Sequence, residues 1–257
     1  MNFFEVIENI ITNYWSWILK GIGMTLLVSI VGTIVGLIIG LVIGVIRTIS
    51  VDKSNKLAYV FKKFINFLIG VYVEIFRGTP MMVQAMVIFW GYAYLSGGNT
   101  LDVTLSALFI VSINTGAYMA EIVRGGIISI DKGQFEGAEA IGMNHFQTML
   151  YVVIPQVMRN ILPSVCNEFI INIKDTSVLN VIGFAELFYV TNTIVLKNYQ
   201  TFITYLFTAV IYFVLTFGIS RILLLIEKKL AGKKNYVVLG SGNMDAESIA
   251  LENNREN

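Results

Sequence analysis

Four long runs of the chain carry no charged residue: Gly21–Ile46 (26 residues), Pro80–Leu101 (22), Val103–Ala120 (18) and Asn198–Ser220 (23). A helix needs about 20 such residues to cross a hydrocarbon core about 30 Å thick. The pattern therefore predicts an all-α polytopic membrane protein. Leu57–Phe76 is different. It is apolar, but Lys62 and Lys63 lie within it, and Lys63, Asn66, Gly70, Glu74 and Arg77 succeed one another at helical steps. That spacing makes one narrow polar stripe, which suits a helix lying at the interface or packed against the spans. Arg77-Gly78-Thr79-Pro80 then breaks the chain, with Pro80 placed as the first residue of the next span. Excluding the striped segment leaves five transmembrane helices, at about 21–46, 80–97, 103–123, 160–183 and 202–225.

Charge placement orients these spans. With the N-terminus outside and the C-terminus cytoplasmic, the inner segments hold six Lys and Arg from Arg47 to Arg77, three from Arg124 to Arg159 and six from Arg221 onward. The outside holds only Lys20 and Lys197, and Lys174 lies within a span. Counting the striped helix as a sixth span would put Arg124, Lys132 and Arg159 outside, against the positive-inside bias. Aromatic residues flank the spans as headgroup anchors do: Tyr14, Trp15 and Trp17, then Tyr92 and Tyr94, then Tyr199 and Tyr205. The reading divides the chain into an extracytoplasmic segment at 1–20, a membrane domain at 21–226 and a cytoplasmic tail at 227–257. The tail is polar and aperiodic, the composition of a disordered segment. Met1–Lys20 lacks the basic start and small-residue cleavage site of a signal peptide, so it reads as retained.

Composition agrees: 56% of the 257 residues are hydrophobic, 14% are charged, and the mean hydropathy is +0.72. A net charge of +1 gives no reason to invoke nucleic acid. The single Cys166 excludes an internal disulfide, and the single His145 argues against a histidine metal centre. No phosphate-binding Walker A pattern occurs; Gly232-Lys233 lacks the glycine-rich loop before it. Energy from ATP must then enter through another protein.

The loop after the third span, about 131–155, has helix punctuation. Asp131 with Gln134 reads as a cap pair opening a helix that Gly142 closes, and Asn144 with Gln147 reads as a second cap. Pro155 is expected to stop the helix that Asn144 opens. Glu136 and Ala140 stand one turn apart. Such a compact knob either connects two spans in solvent or seats in a partner's groove. Glu136-Gly137-Ala138, then Gly142, then Val152-Val153-Ile154-Pro155 resembles the EAA motif of binding-protein-dependent ABC importer permeases. The spacing matches at each step; Gly137 replaces the central alanine, and Val152 and Ile154 are conservative departures.

Three further stretches resemble the polar amino-acid branch of that family: Phe76-Arg77-Gly78-Thr79-Pro80 with Gln84, Gly116-Ala117-Tyr118-Met119-Ala120-Glu121 with Arg124-Gly125-Gly126, and Lys174-Asp175-Thr176-Ser177. The resemblance covers about residues 20–226. It implies a type I importer permease of the bacterial cytoplasmic membrane whose loop, through Glu136, Gly137, Ala138, Ala140 and Gly142, docks on a cytoplasmic ATPase dimer. ATP and Mg would sit on that ATPase, with no cofactor on this chain. A second permease subunit, identical or related, and an extracytoplasmic binding protein that delivers an amino acid complete the implied assembly.

Charges inside a span cost about 2.5–3.5 kcal/mol at its centre and need a reason. In span four, Glu168, Asn172 and Asp175 share one face, and Asn167 and Lys174 an adjacent one. Asp175 lies 16 residues beyond Arg159, about 24 Å along a helix. Carboxylates suit an ammonium and Lys or Arg a carboxylate, so a path holding both signs fits an amino acid. The same groups also fit structural ion pairs with Arg77, Glu121 or the second subunit. The candidates for the path are thus Arg77, Thr79, Gln84, Asn114, Glu121, Glu168, Asn172, Lys174, Asp175, Thr176 and Ser177. Gly32, Gly36, Gly40 and Gly44 recur every four residues, a spacing for close helix packing. The other functional class to weigh is an ion-coupled secondary amino-acid carrier; such carriers often show inverted repeats, and none is visible here.

Overall fold

The computed structural model describes residues 2–49 and 54–230, which form helices and no strand. They are α1 (Phe3–Thr48), α2 (Lys56–Gly78), α3 (Met81–Leu95), α4 (Val103–Ile128), α5 (Lys132–Ala140), α6 (His145–Gln147), a π-helical segment (Thr148–Val153), α7 (Ile154–Asp175), a 3-10 segment (Thr176–Ile182), α8 (Leu187–Asn198) and α9 (Thr201–Leu230). Four stretches are long and apolar enough to cross a membrane: Phe3–Thr48, Val103–Ile128, His145–Ile182 and Thr201–Lys229. The expected disorder of the tail falls on 231–257, outside the described residues.

The centre of the fold is the pairing of α1 with α4. Gly36, Gly40 and Gly44 lie so close to α4 that an added Cβ would stand 2.8 Å from Thr115 Cβ, 2.6 Å from Met119 Cβ and 2.5 Å from Val123 Cγ1; Gly32 meets Val111 in the same way. Both helices thus present residues four apart to one seam, and the four-residue glycine spacing is a packing device. One core cluster (Val28, Ala85, Phe89, Ile110, Leu179, Phe184) fills one end of the seam, and another (Val123, Ile127, Met149, Val153, Val157, Ile161) fills the other.

α1 starts well ahead of the expected Gly21. Asn2 and Glu5 form a reciprocal capping box there, with Asn2 N donating to Glu5 Oε2 at 2.8 Å. Val6, Ile10 and Ile18 then bury against Leu187, Val190 and Ile194 of α8. At 46 residues, α1 runs about 69 Å, far more than one bilayer core. The early turns are held by α8, a helix that the run of hydropathy did not signal.

Two other boundaries differ. α3 has 15 residues, about 22 Å, too short by itself for the second expected span. Pro155 does not stop the loop. The chain widens into the π-helical turn at Thr148–Val153 and continues through Pro155 into α7. A proline lacks an N–H and crowds the preceding turn, and the wider turn just before it accommodates both effects. α7 then tightens into the 3-10 segment and ends at Gly183, whose φ of 81° suits glycine. The most apolar stretch of α9 is unburied within the chain.

Candidate translocation site and coupling surface

α2 and α3 run against α4 in one direction, at successive levels. Tyr72 Oη donates to the Ile113 carbonyl at 2.6 Å, Asn114 Nδ2 lies 3.4 Å from the Phe76 carbonyl, and Ala85 and Phe89 pack with Ala107 and Ile110. The break between them falls where the sequence puts Gly78-Thr79-Pro80. Pro80 removes an N–H and forces Thr79 into an extended conformation, at φ −124° and ψ 147°. A broken helix frees backbone carbonyls that hydrocarbon cannot satisfy, so such breaks are tolerated where protein or a watered cavity surrounds them. Gln84 supplies the partners. Its Nε2 donates to the Phe76 carbonyl, the Thr79 carbonyl and Thr79 Oγ1, each at 2.9 Å, and its Oε1 accepts from Asn114 Nδ2 at 2.8 Å.

A cavity of about 310 Å³ opens at this break, bounded by Thr79, Pro80 and Met81, by Asn114 and Tyr118 of α4, and by Glu168, Ile171, Asn172 and Asp175 of α7. The face that Glu168, Asn172 and Asp175 share is the one that lines it. Asn172 is buried and cross-links three helices: Thr115 Oγ1 donates to its Oδ1 at 3.0 Å, and its Nδ2 donates to Thr33 Oγ1 at 2.9 Å. Arg77 stands 5.7 Å over the Tyr118 ring and acts electrostatically on Glu168. The structure therefore gathers Arg77, Thr79, Gln84, Asn114, Glu168, Asn172 and Asp175 around one break. Neither Glu168 nor Asp175 forms an ion pair among the described residues.

Glu121 is not at this cavity. It lies further along α4, paired with Arg47 Nη1 at 3.0 Å and with Arg124 Nη2 at 2.8 Å, and Arg77 Nη1 is 4.0 Å away. Lys174 is exposed on another face of α7, Thr176 is buried with its hydroxyl donating to the Ile173 carbonyl at 3.0 Å, and Ser177 is half-buried. Tyr118 lines the cavity but was not among the sequence candidates. Its position four residues after Asn114 on the same helix face carries the signal for it.

The loop after α4 folds as a mounted knob. Asp131 Oδ1 accepts from the Gly133 N–H at 2.7 Å to open α5. Gly142, at φ 80°, closes it as Met143 N donates to the Ala138 carbonyl at 3.0 Å and Gly142 N to the Glu139 carbonyl at 2.9 Å. The expected Asp131–Gln134 pair does not form, because Gln134 Oε1 instead accepts from Gln156 Nε2 at 3.1 Å, whereas Asn144 and Gln147 do form a capping box, with bonds of 2.9 Å in each direction. Ala138 is buried and Phe135 packs beneath it on the inner cluster. Glu136, Gly137, Ala140 and Gly142 face outward with Ile141 and Phe146, which are 78% and 66% exposed. Two large apolar side chains thus stand exposed on an otherwise polar knob.

The family model described as the binding-protein-dependent transport system inner membrane component matches residues 36–232. The chain is similar to the glutamine transport system permease protein GlnP of Escherichia coli strain K12, at 36% identity over 213 residues covering 83% of this chain and 92% of that protein. It is also similar to the L-cystine transport system permease protein TcyB of Bacillus subtilis strain 168, at 40% identity over 167 residues covering 65% of this chain and 70% of that one. A crystal structure of an amino acid ABC transporter with histidines superposes with TM-score 0.74 at 34% identity, covering 89% of this chain and 99% of the other. The inward-facing MetNI methionine transporter shares the fold, with TM-score 0.68 at 17% identity over 84% of this chain and 97% of that one. The chain belongs to the family of binding-protein-dependent transport system inner membrane components.

Proposed function

We propose that this permease subunit passes a polar or charged amino acid across the bacterial cytoplasmic membrane by alternating access, through the cavity at the α2–α3 break. The observation that carries the reading is that cavity's chemistry. Glu168 and Asp175 offer acceptors for an ammonium, Asn114, Asn172, Tyr118 and Thr79 offer neutral hydrogen bonds, and Arg77 stands at its edge. Its volume of about 310 Å³ is at the small end of the roughly 300–1,000 Å³ of small-molecule sites. Relatives named for glutamine and cystine transport support the substrate class.

The topology has five crossings with the N-terminus outside and the C-terminus cytoplasmic, which keeps Lys and Arg inside. In it α3 and the last turns of α2 together make the second crossing, since α3 is too short alone. The broken crossing lies at the substrate path, as in transporters whose sites are built from interrupted helices. The outward face of α5 seats on an ATPase dimer, which holds ATP and Mg, and a second permease subunit covers α9. Family membership favours this ATP-driven importer over an ion-coupled carrier.

The test is uptake into proteoliposomes holding this chain and its co-purified ATPase, with ATP inside and labelled amino acids with a binding protein outside. ATP-dependent uptake of a polar amino acid is the expected result. Uptake driven by an ion gradient without ATP overturns the reading.

A further inference from the structure

A second cavity, of about 420 Å³, lies where the end of α1, the middle of α2 and the end of α4 meet, among Arg47, Thr48, Asn66, Arg124 and Ile127. It is separate from the translocation cavity, and its chemistry is the reverse. Arg47, Arg77 and Arg124 gather on the single carboxylate of Glu121, and no other acidic partner holds them among the described residues. Arg47 and Arg124, which line the cavity, leave one positive charge in excess over that carboxylate, and Arg77 stands 4.0 Å from the same carboxylate outside the lining. Among the described residues Arg47 uses only Nη1 in hydrogen bonding, and Arg124 only Nε and Nη2, so each keeps N–H groups for another acceptor. On the α2 wall Asn66 Oδ1 is buried without a hydrogen-bond partner among the described residues. A buried acceptor of that kind is destabilising until a donor reaches it.

These two needs are complementary in one small molecule. The arginines call for an anion, and Asn66 Oδ1, an acceptor, calls for a hydroxyl. Phe64, Phe67 and Leu68 beside Asn66 are exposed apolar residues, and Lys62 and Lys63 stand one turn before it. We propose that this cavity binds the phosphodiester headgroup of an anionic phospholipid that also carries a headgroup hydroxyl. The phosphate oxygens accept from Arg47 and Arg124, the hydroxyl donates to Asn66 Oδ1, and the acyl chains lie along the apolar flank of α2. Basic pockets between membrane helices hold lipid headgroups in this manner. The lipid ties the middle of α2 to the ends of α1 and α4.

The full-length chain, purified with its co-purifying partners, is equilibrated in mixed micelles and the retained lipid is counted by native mass spectrometry. Phosphatidylglycerol should be retained about tenfold or more over phosphatidylcholine, and Arg124→Gln should remove that preference. Phosphatidylmethanol has the same charge but no hydroxyl. Phosphatidylglycerol should win over it in the native chain and lose that advantage in Asn66→Leu, a variant that leaves the ion cluster intact. Inorganic phosphate at millimolar concentration serves as the arm for a free anion and should not displace the lipid. Equal retention of the zwitterionic and anionic lipids overturns the proposal, as does a phosphatidylglycerol preference over phosphatidylmethanol that survives in Asn66→Leu. Displacement by inorganic phosphate also overturns it and assigns the cavity to a free anion.

Discussion

Asn114 Nδ2 donates to Gln84 Oε1 at 2.8 Å, and this one bond frees Gln84 Nε2 to hold the Phe76 and Thr79 carbonyls across the break between α2 and α3. Both side chains are buried, at 8% and 7% exposure. The pair converts a proline-induced interruption into a fixed feature, and it does so at the edge of the cavity beside that break. Gln84→Leu takes the Thr79 carbonyl's side-chain partner away and leaves the Phe76 carbonyl and Asn114 Nδ2 only their long 3.4 Å contact with each other. At about 1–3 kcal/mol for each unsatisfied buried group, the variant should be destabilised by roughly 3 kcal/mol in thermal melting of the purified complex. Asn114→Leu added to it should cost less than its effect alone, because the shared bond is already gone.

The α1–α4 seam should tolerate no side chain at its glycines. Gly40→Val places a Cβ 2.6 Å from Met119 Cβ and 2.7 Å from the Met119 carbonyl carbon, and backbone cannot step aside. Overpacking of this kind costs about 1–3 kcal/mol or more, so little folded protein should be recovered from the membrane. Gly23 on the same helix has open space around it. Gly23→Ala should instead stabilise by up to about 1 kcal/mol through helix propensity. Yield and melting temperature of the two variants, measured side by side, separate the seam from the helix.

The helical, membrane-spanning class was legible because each long crossing is a self-contained stretch of about 20 apolar residues. The helical knob after α4 was legible too, since caps and a closing glycine act within a few residues, as Asp131, Gly142 and Asn144 do. The features that pattern did not carry were tertiary. α1 reaches back to Phe3 because α8 covers Val6 and Ile10, a contact between elements at opposite ends of the chain. The helix passes through Pro155 because a π turn precedes it, and hydropathy has no signature for that. At the site, face-sharing placed Glu168, Asn172 and Asp175 together correctly. Glu121, a candidate for the same path, stands apart because Arg47, Arg77 and Arg124 hold it further along α4, a grouping of three helices that spacing within one helix does not carry.

Glu136 is exposed and makes no hydrogen bond or ion pair among the described residues, so its charge is free for a partner. Glu136→Lys should leave the melting temperature of the chain nearly unchanged, as exposed substitutions usually lie within about 0.5 kcal/mol. Transport should be abolished while membrane insertion persists. Ala138→Asp buries a charge under the knob and should lower stability as well, so the two variants distinguish docking from mounting. Native uptake by Glu136→Lys would remove the coupling assignment.

Glu186 lies between the 3-10 segment and α8 and is fully buried. Its carboxylate accepts from Tyr189 N at 2.7 Å, Phe188 N at 2.9 Å and Tyr212 Oη at 2.9 Å, capping α8 and tying it to α9. Burial pushes its carboxyl above the usual carboxylate range, against the pull of those bonds. A raised folded pKa means that the native state holds the proton where the unfolded chain has lost it. Stability from this group therefore falls as pH rises from the ordinary glutamate value through the folded one, and it recovers on acidification. Glu186→Gln keeps an acceptor for the cap and should flatten that part of the profile, measured as melting temperature against pH.

The proposed substrate path through the cavity at the α2–α3 break makes a sharper demand on its two carboxylates than on the nearby lysine. Glu168 and Asp175 line the cavity, whereas Lys174 is exposed on another face of α7. If the carboxylates receive the substrate ammonium, each charge-assisted hydrogen bond is worth about 1.5–3 kcal/mol. Glu168→Gln and Asp175→Asn should then each lower ATP-dependent uptake at limiting substrate by about tenfold or more. ATP hydrolysis stimulated by the binding protein should persist, because the knob is untouched. Lys174→Met should leave the uptake kinetics near native. Unchanged kinetics in both carboxylate variants would make Glu168 and Asp175 structural groups and move the substrate path away from the α2–α3 break.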